Sequence, residues 1–250
     1  TLGGHAAVGF VAALIFAPLI VGALAGAADR LILQRLNYDP DRTIVATIGL
    51  LYIIQQSTLM TFGPDARPVE APFNQRLALP WWEWGESGLE MFWPWGLSIT
   101  SYKLFVIAAA AVILIALWLF MTRTKAGLIM RATQQDSEMA QAFGVPVGNV
   151  YSWVFGLGAG LAAMGAVLVV PIQQAHYLMG HDPLLLSFIV VIIGGLGSLP
   201  GTVIAAILIG MSDGIISVFF SPTLAKIIAT LLVAMVLVFR PQGLLGRSES

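Results

Sequence analysis

The chain has 250 residues, 58% hydrophobic and only 10% charged, with a formal net charge of −1. Soluble domains carry about 25% charged residues, so a water-exposed globule is excluded, and a mean hydropathy of +0.88 sends the apolar surface to lipid. Near-neutral charge supplies no basic face for nucleic acid, and the absence of cysteine removes disulfides, thiolate metal sites and cysteine nucleophiles.

Seven apolar segments run along the chain, at about 6–28, 43–62, 103–121, 150–171, 184–198, 202–220 and 224–239. Each is near the ~20 residues that a helix needs to cross ~30 Å of hydrocarbon. Backbone amides must be satisfied within the membrane, so spans are helices or barrel strands. Strands would alternate apolar with polar residues, whereas Leu104 to Phe120 is almost continuously apolar. The expected fold is therefore all-α: a polytopic membrane helix bundle of about seven spans, one transmembrane domain over 1–250. The chain opens at Thr1 on the edge of an apolar run, without an initiator Met or a charged segment that would make a secretory signal. Further sequence upstream of Thr1 is expected, which makes seven a minimum.

Basic residues orient the spans. If the first span runs from outside to inside, the cytoplasmic loops carry Arg30, Arg35, Arg42, Arg123, Lys125, Arg131, Arg240 and Arg247. The outside then carries Arg67, Arg76, Lys103 and Lys226, a twofold bias inward.

Gly22 and Gly26 in the first span form a small-xxx-small pair suited to close helix packing. Near the outer end of the second span, Gln55, Gln56, Ser57 and Thr58 either bond between helices or line a pathway. The outside loop at 63–102 holds Pro64, Pro68, Pro72, Pro80 and Pro94 with Trp81, Trp82, Trp84, Trp93 and Trp95. Tryptophan favours the headgroup level. The loop reads as an interfacial anchor, or as an aromatic lip that docks a binding protein or guards a pore entrance.

Between the third and fourth spans, 122–149 forms a cytoplasmic loop. Asp136 or Ser137 can cap a short helix that runs to about Phe143, with Gly144 as its terminator and Pro146 just beyond. Met139, Ala140 and Phe143 give that helix a small apolar face. Its polar face, with Asp136 and Glu138, lacks the basic character of a membrane-lying helix, so docking onto a protein partner is favoured.

The fourth span repeats the glycine pattern at Gly156 and Gly160, and with Gly158 and Gly165 it reads as a buried helix. The polar stretch 171–183 is a surface loop or a re-entrant turn. Its His176 and His181 lack the framework of a zinc hydrolase, and no metal site is expected. Gly194, Gly195, Gly197 and Gly201 cluster between the fifth and sixth spans, as a tight reversal that also permits a hinge. The stretch lacks the Lys-Ser/Thr of a phosphate loop. Asp213, half-way along the sixth span, is the one acid placed well inside the membrane. It is either a hydrogen-bonded structural group or a pathway residue that meets a substrate amino group. No nucleophile–base pair, metal cluster or phosphate loop is legible, so no catalytic residue and no cofactor is assigned to this chain.

Three stretches, 131–145, Gly194 to Gly201 and Phe239 to Gly246, together resemble bacterial ABC-importer permeases of the branched-chain (hydrophobic) amino acid type. The likeness extends through Met179-Gly180 and the region from Pro18 through Asp29-Arg30 to Arg35-Leu36. It implies a multi-pass protein of the bacterial inner membrane paired with a second homologous permease subunit, two cytoplasmic ATPases that hydrolyse ATP, and a periplasmic substrate-binding protein. Arg131 to Val145, with Arg131, Asp136, Glu138, Ala140, Phe143 and Gly144, would then be the coupling helix that receives ATPase motion. Family members begin with one or two more helices, and usually have Glu where Asp213 and Asp29 stand. The expected substrate is a branched-chain or other hydrophobic amino acid, with urea or a short amide as the alternative. An ion-coupled transporter acting alone is the rival of a different class; it would need several charges at the membrane midplane and ideally an internal repeat.

Overall fold

The computed structural model describes residues 3–36, 38–73, 75–78, 81–85, 88–92, 98–195, 197–219, 228 and 231. The expected seventh span and the 239–246 tail lie outside these residues, save Ile228 and Leu231, and so do Trp93 and Trp95. Two compact units divide the chain, Thr1–His176 and Tyr177–Ser250.

In the first unit, α1 (Gly3–Ala28) continues without a break into a π turn, Asp29–Leu33, and a 3-10 turn, Gln34–Leu36. The apolar helical run Ala7–Leu36 is thus 30 residues long. Helix α2 (Pro40–Phe62) starts where Asp39 caps the amides of Asp41 and Arg42, with Pro40 in the first helical position. It ends at Gly63, whose φ of +84° suits glycine. After α3 (Ser101–Arg123) come two short helices, α4 (Lys125–Gln135) and α5 (Ser137–Ala142), and then α6 (Val147–Gln173). Among the described residues, four helical segments are long and apolar enough to cross a membrane: Ala7–Leu36, α2, α3 and α6. The second unit contributes the shorter apolar helices α7 (His181–Gly194) and α8 (Leu199–Phe219).

Helices α1 and α6 pack antiparallel, and their seam is made by the expected glycines. Gly22 faces Gly156, Gly160 faces the Pro18 carbonyl, and Gly26 faces that of Ser152. Small residues let the backbones close up, which is how helices gain contact where lipid competes for every apolar side chain. Among the described residues, Gly158 and Gly165 look onto open space, so the expected burial of the fourth span is met on its α1 face. At the far end of the seam, buried Tyr102 donates its hydroxyl to the Leu168 carbonyl at 2.9 Å, within an aromatic cluster of Phe10, Phe73 and Phe105. Nearby, Arg67 and Ala175 exchange two backbone hydrogen bonds, at 2.8 and 2.9 Å.

The loop between α2 and α3 holds two antiparallel ribbons: β1 (Arg76–Ala78) with β4 (Ser98–Thr100), and β2 (Trp81–Gly85) with β3 (Gly88–Phe92). The second pairs Trp81 with Phe92 and Trp84 with Leu89, a use of aromatic residues that strands favour. The short ribbons leave the helical class of the bundle unchanged.

In the second unit, α7 and α8 form a hairpin around Ile193, Ala205 and Ile209, with Leu186, Ile189 and Val190 against them. The reversal is tight because Gly194 and Gly201 leave no room for side chains: a Cβ on Gly194 would come within 2.5 Å of Thr202 backbone atoms. Gly195 and Gly197 sit at φ +95° and +83°, where other residues are strained. The Ser198 hydroxyl accepts the Gly201 amide at 3.2 Å, capping α8.

Large apolar side chains stay exposed all along the long helices, among them Leu19, Ile53, Ile54 and Val112, and α2 buries none of its residues. Such surfaces are stable against lipid or partner helices, not against water.

Candidate functional site

The stretch expected to act as one coupling helix divides in two. Thr124 caps α4 by accepting the Gly127 amide, and Arg131 lies within that helix, exposed, its guanidinium folded back on the Gly127 carbonyl at 3.4 Å. Asp136 then leaves helical geometry (φ −154°, ψ 102°) and caps α5, its carboxylate accepting the Met139 amide at 2.9 Å. Such a cap contributes about 1 kcal/mol. At the other end of α5, the Val145 amide reaches the Ala140 carbonyl and the Gly144 amide that of Gln141, with Gly144 at φ +83°. These paired bonds are a Schellman closure, so α5 is held at both ends by its own sequence.

The small apolar face of α5 is split. Ala140 is buried, only 6% exposed, whereas Met139 and Phe143 are 59% and 84% exposed. Ala140 holds α5 against its own chain. Met139 and Phe143, with Glu138 and Asp136 beside them, form the free surface.

A polar site that the span boundary at residue 28 hides lies where α1 passes into α2. Because the helix continues through the π turn, Asp29 belongs to it, and it is 1% exposed. Its Oδ2 accepts the Ser152 hydroxyl at 2.5 Å and the Tyr38 hydroxyl at 3.2 Å. Ser152 in turn accepts the Gln34 amide nitrogen at 2.8 Å, and that nitrogen also donates to the Gly148 carbonyl at 3.0 Å. Hydrogen bonds to a charged group contribute about 1.5–3 kcal/mol each, and a buried polar group left unpaired would cost similar amounts. Tyr38 adopts φ +53°, costly for a bulky residue. It is held there by the Asp29 bond and by an edge-on contact with Tyr151 at 5.0 Å. Burial, then the Asp29 carboxylate beside it, push the Tyr38 phenol up to about 12. The signal in the sequence is an acid and an amide five residues apart at the end of one span, with a serine near the start of another.

The candidate pathway residues fall in separate units. On α2, Gln55 is half-buried and its Oε1 has no hydrogen-bond partner among the described residues, while Gln56 is exposed. Ser57 and Thr58 donate to the carbonyls of Ile53 and Ile54 in their own helix. Asp213 is half-buried on α8. His176 follows α6 and His181 starts α7; among the described residues, no group of three or more His, Cys, Asp or Glu is placed to hold a metal.

A family model described as branched-chain amino acid transport system, permease component, matches residues 2–239. The chain is similar to the high-affinity branched-chain amino acid transport system permease protein BraD of Pseudomonas aeruginosa. The two are 26% identical over 226 residues, covering 87% of this chain and 70% of BraD. It is similar to the same degree to the permease protein LivH of Escherichia coli K12, at 26% over 224 residues, again 87% and 70%. A more distant likeness is to the autoinducer 2 import system permease protein LsrD of Photorhabdus laumondii, at 25% over 211 residues, 80% of this chain and 58% of LsrD. No solved structure matches the chain.

Proposed function

The chain belongs to the family of branched-chain amino acid transport system permease components, and from that premise we propose that it is the membrane subunit of an ATP-driven importer for branched-chain or other hydrophobic amino acids. It acts beside a second, homologous permease subunit in the bacterial inner membrane, with two cytoplasmic ATPases and a periplasmic binding protein. ATP is hydrolysed by the partners, and this chain contributes the path and the handle.

The observation that carries the reading is α5. Six residues long, it is closed by Asp136 at one end and by Gly144 at the other, and it presents Met139 and Phe143 outward while Ala140 is tucked away. A rigid helical knob with an apolar tip suits a groove on a partner, and it can pass on the partner's movement only if it is itself stiff. Closing of the ATPase pair would shift α5, and differential docking energy between the two states would favour one arrangement of the spans over the other.

The test is purification followed by reconstitution. The tagged chain in detergent is expected to bring down an ATPase, and proteoliposomes of that assembly are expected to accumulate radiolabelled leucine on ATP. Uptake driven by an ion gradient without ATP would overturn the reading, and competition of leucine uptake by urea would redirect the substrate.

A further inference from the structure

We propose that Asp29, Gln34 and Tyr38 on one side, and Gly148 and Ser152 on the other, form a clasp that makes the first span follow α5, so that ATP turnover moves the helices. The inference rests on the role given to α5 above.

Only residues 143–146 separate α5 from α6, and they have little freedom: Gly144 is fixed by the Schellman closure and Pro146 by its ring. A displacement of α5 therefore reaches the first turn of α6. Gly148 in that turn and Ser152 in the next are gripped by Gln34 and Asp29, partners 114 to 123 residues away in the chain. Every polar atom of the Ser152 side chain is engaged, its proton on Asp29 and its lone pair taking the Gln34 amide.

On the receiving side the helix is irregular. The π turn at Asp29–Leu33, the 3-10 turn at Gln34–Leu36 and the left-handed Tyr38 follow one another within ten residues. Insertions of this kind and strained backbones mark places where a helix changes direction in use. Above the clasp, the Gly22–Gly156 and Pro18–Gly160 contacts leave no side-chain cushion between α1 and α6. The two helices thus shift together, while the joint to α2 takes up the change. Asp29, Gln34 and Ser152 are positioning residues in this scheme, and none needs to meet substrate.

The complete importer in proteoliposomes allows leucine uptake and ATP hydrolysis to be counted together, with Asp29→Asn, Ser152→Ala and the double variant compared. Each single change is expected to lower leucine moved per ATP by about fivefold or more, the low end of typical coupling between sites. The double variant is expected to fall short of the product of the two single effects, because both singles break the Asp29–Ser152 contact. Tyr38→Phe removes a single oxygen from a half-buried ring and leaves folding intact; it is expected to lower the ratio about twofold or more. A purely structural role would reduce uptake and hydrolysis in proportion, and an unchanged ratio in an active assembly overturns the clasp alone. A wild-type assembly that moves no leucine on ATP overturns the proposed function and the clasp with it.

Discussion

Gly22 and Gly156 meet backbone to backbone: a Cβ on either would stand 2.9 Å from the carbonyl oxygen of the other. Overpacking of this kind costs about 1–3 kcal/mol. Gly156→Ala is therefore expected to lower the thermal midpoint in detergent relative to Gly158→Ala, whose site has nothing within 4 Å. The gain of about 1 kcal/mol from replacing a helical glycine is common to both, so the difference isolates the seam. Equal midpoints would argue against it.

Phe143, as the exposed tip of α5, is expected to dominate binding of the ATPase. Interface anchors of this type lose about 2 kcal/mol on truncation, roughly 30-fold in affinity. Phe143→Ala should thus weaken co-purification with the ATPase while the subunit still inserts. Ala140→Asp should act differently, by loosening α5 from its own chain. Protease sensitivity of the 124–146 loop separates the two, rising for Ala140→Asp and unchanged for Phe143→Ala.

The two ends of α5 make distinct contributions. Asp136→Ala removes the cap on the Met139 amide, at a cost of about 1 kcal/mol. Gly144→Ala places a Cβ at φ +83°, at a cost of about 1–2 kcal/mol. Hydrogen exchange of the α5 amides is expected to quicken about fivefold or more in either variant. Exchange that is unaltered would mean that α5 is held by its surroundings rather than by its caps.

The Tyr38 phenol is expected to keep its proton well above the ordinary tyrosine range. Its folded-state value is raised, so the contribution of its neutral form is complete below about pH 10 and lost as pH rises through about 12. In ultraviolet titration, the spectrum of wild type minus Tyr38→Phe should lack a tyrosinate step below about pH 11. A step near 10 would show the hydroxyl to be neither buried nor bonded to Asp29.

Much of this architecture is legible in local chemistry. The four-residue spacing of Gly22 with Gly26 and of Gly156 with Gly160 marked two close-packing faces, and they pack on each other. The run from Asp136 to Gly144 carried its own start and stop signals, and α5 obeys both. What escaped depends on distant partners. Asp29 reads as a residue just past a span until the π turn lengthens the helix and Ser152, 123 positions away, supplies its donor. Ala140 and Phe143 share an apolar pattern, and only the packing of α5 onto its own chain decides which is covered. The ribbons at 76–100 went unread because prolines and clustered tryptophans mask the alternation that signals a strand, and pairing such as Trp81 with Phe92 is a non-local event.

The two hydrogen bonds exchanged by the main chains of Arg67 and Ala175 join the segments that follow α2 and α6. No side chain takes part in that exchange. The Arg67 guanidinium also holds the Phe62 carbonyl at 2.9 Å, whereas position 175 can change in charge, size or greasiness while the fastening persists. Only proline, which lacks the N–H, undoes it. Position 175 is thereby free to drift without disturbing the spacing of the helices that the fastening joins.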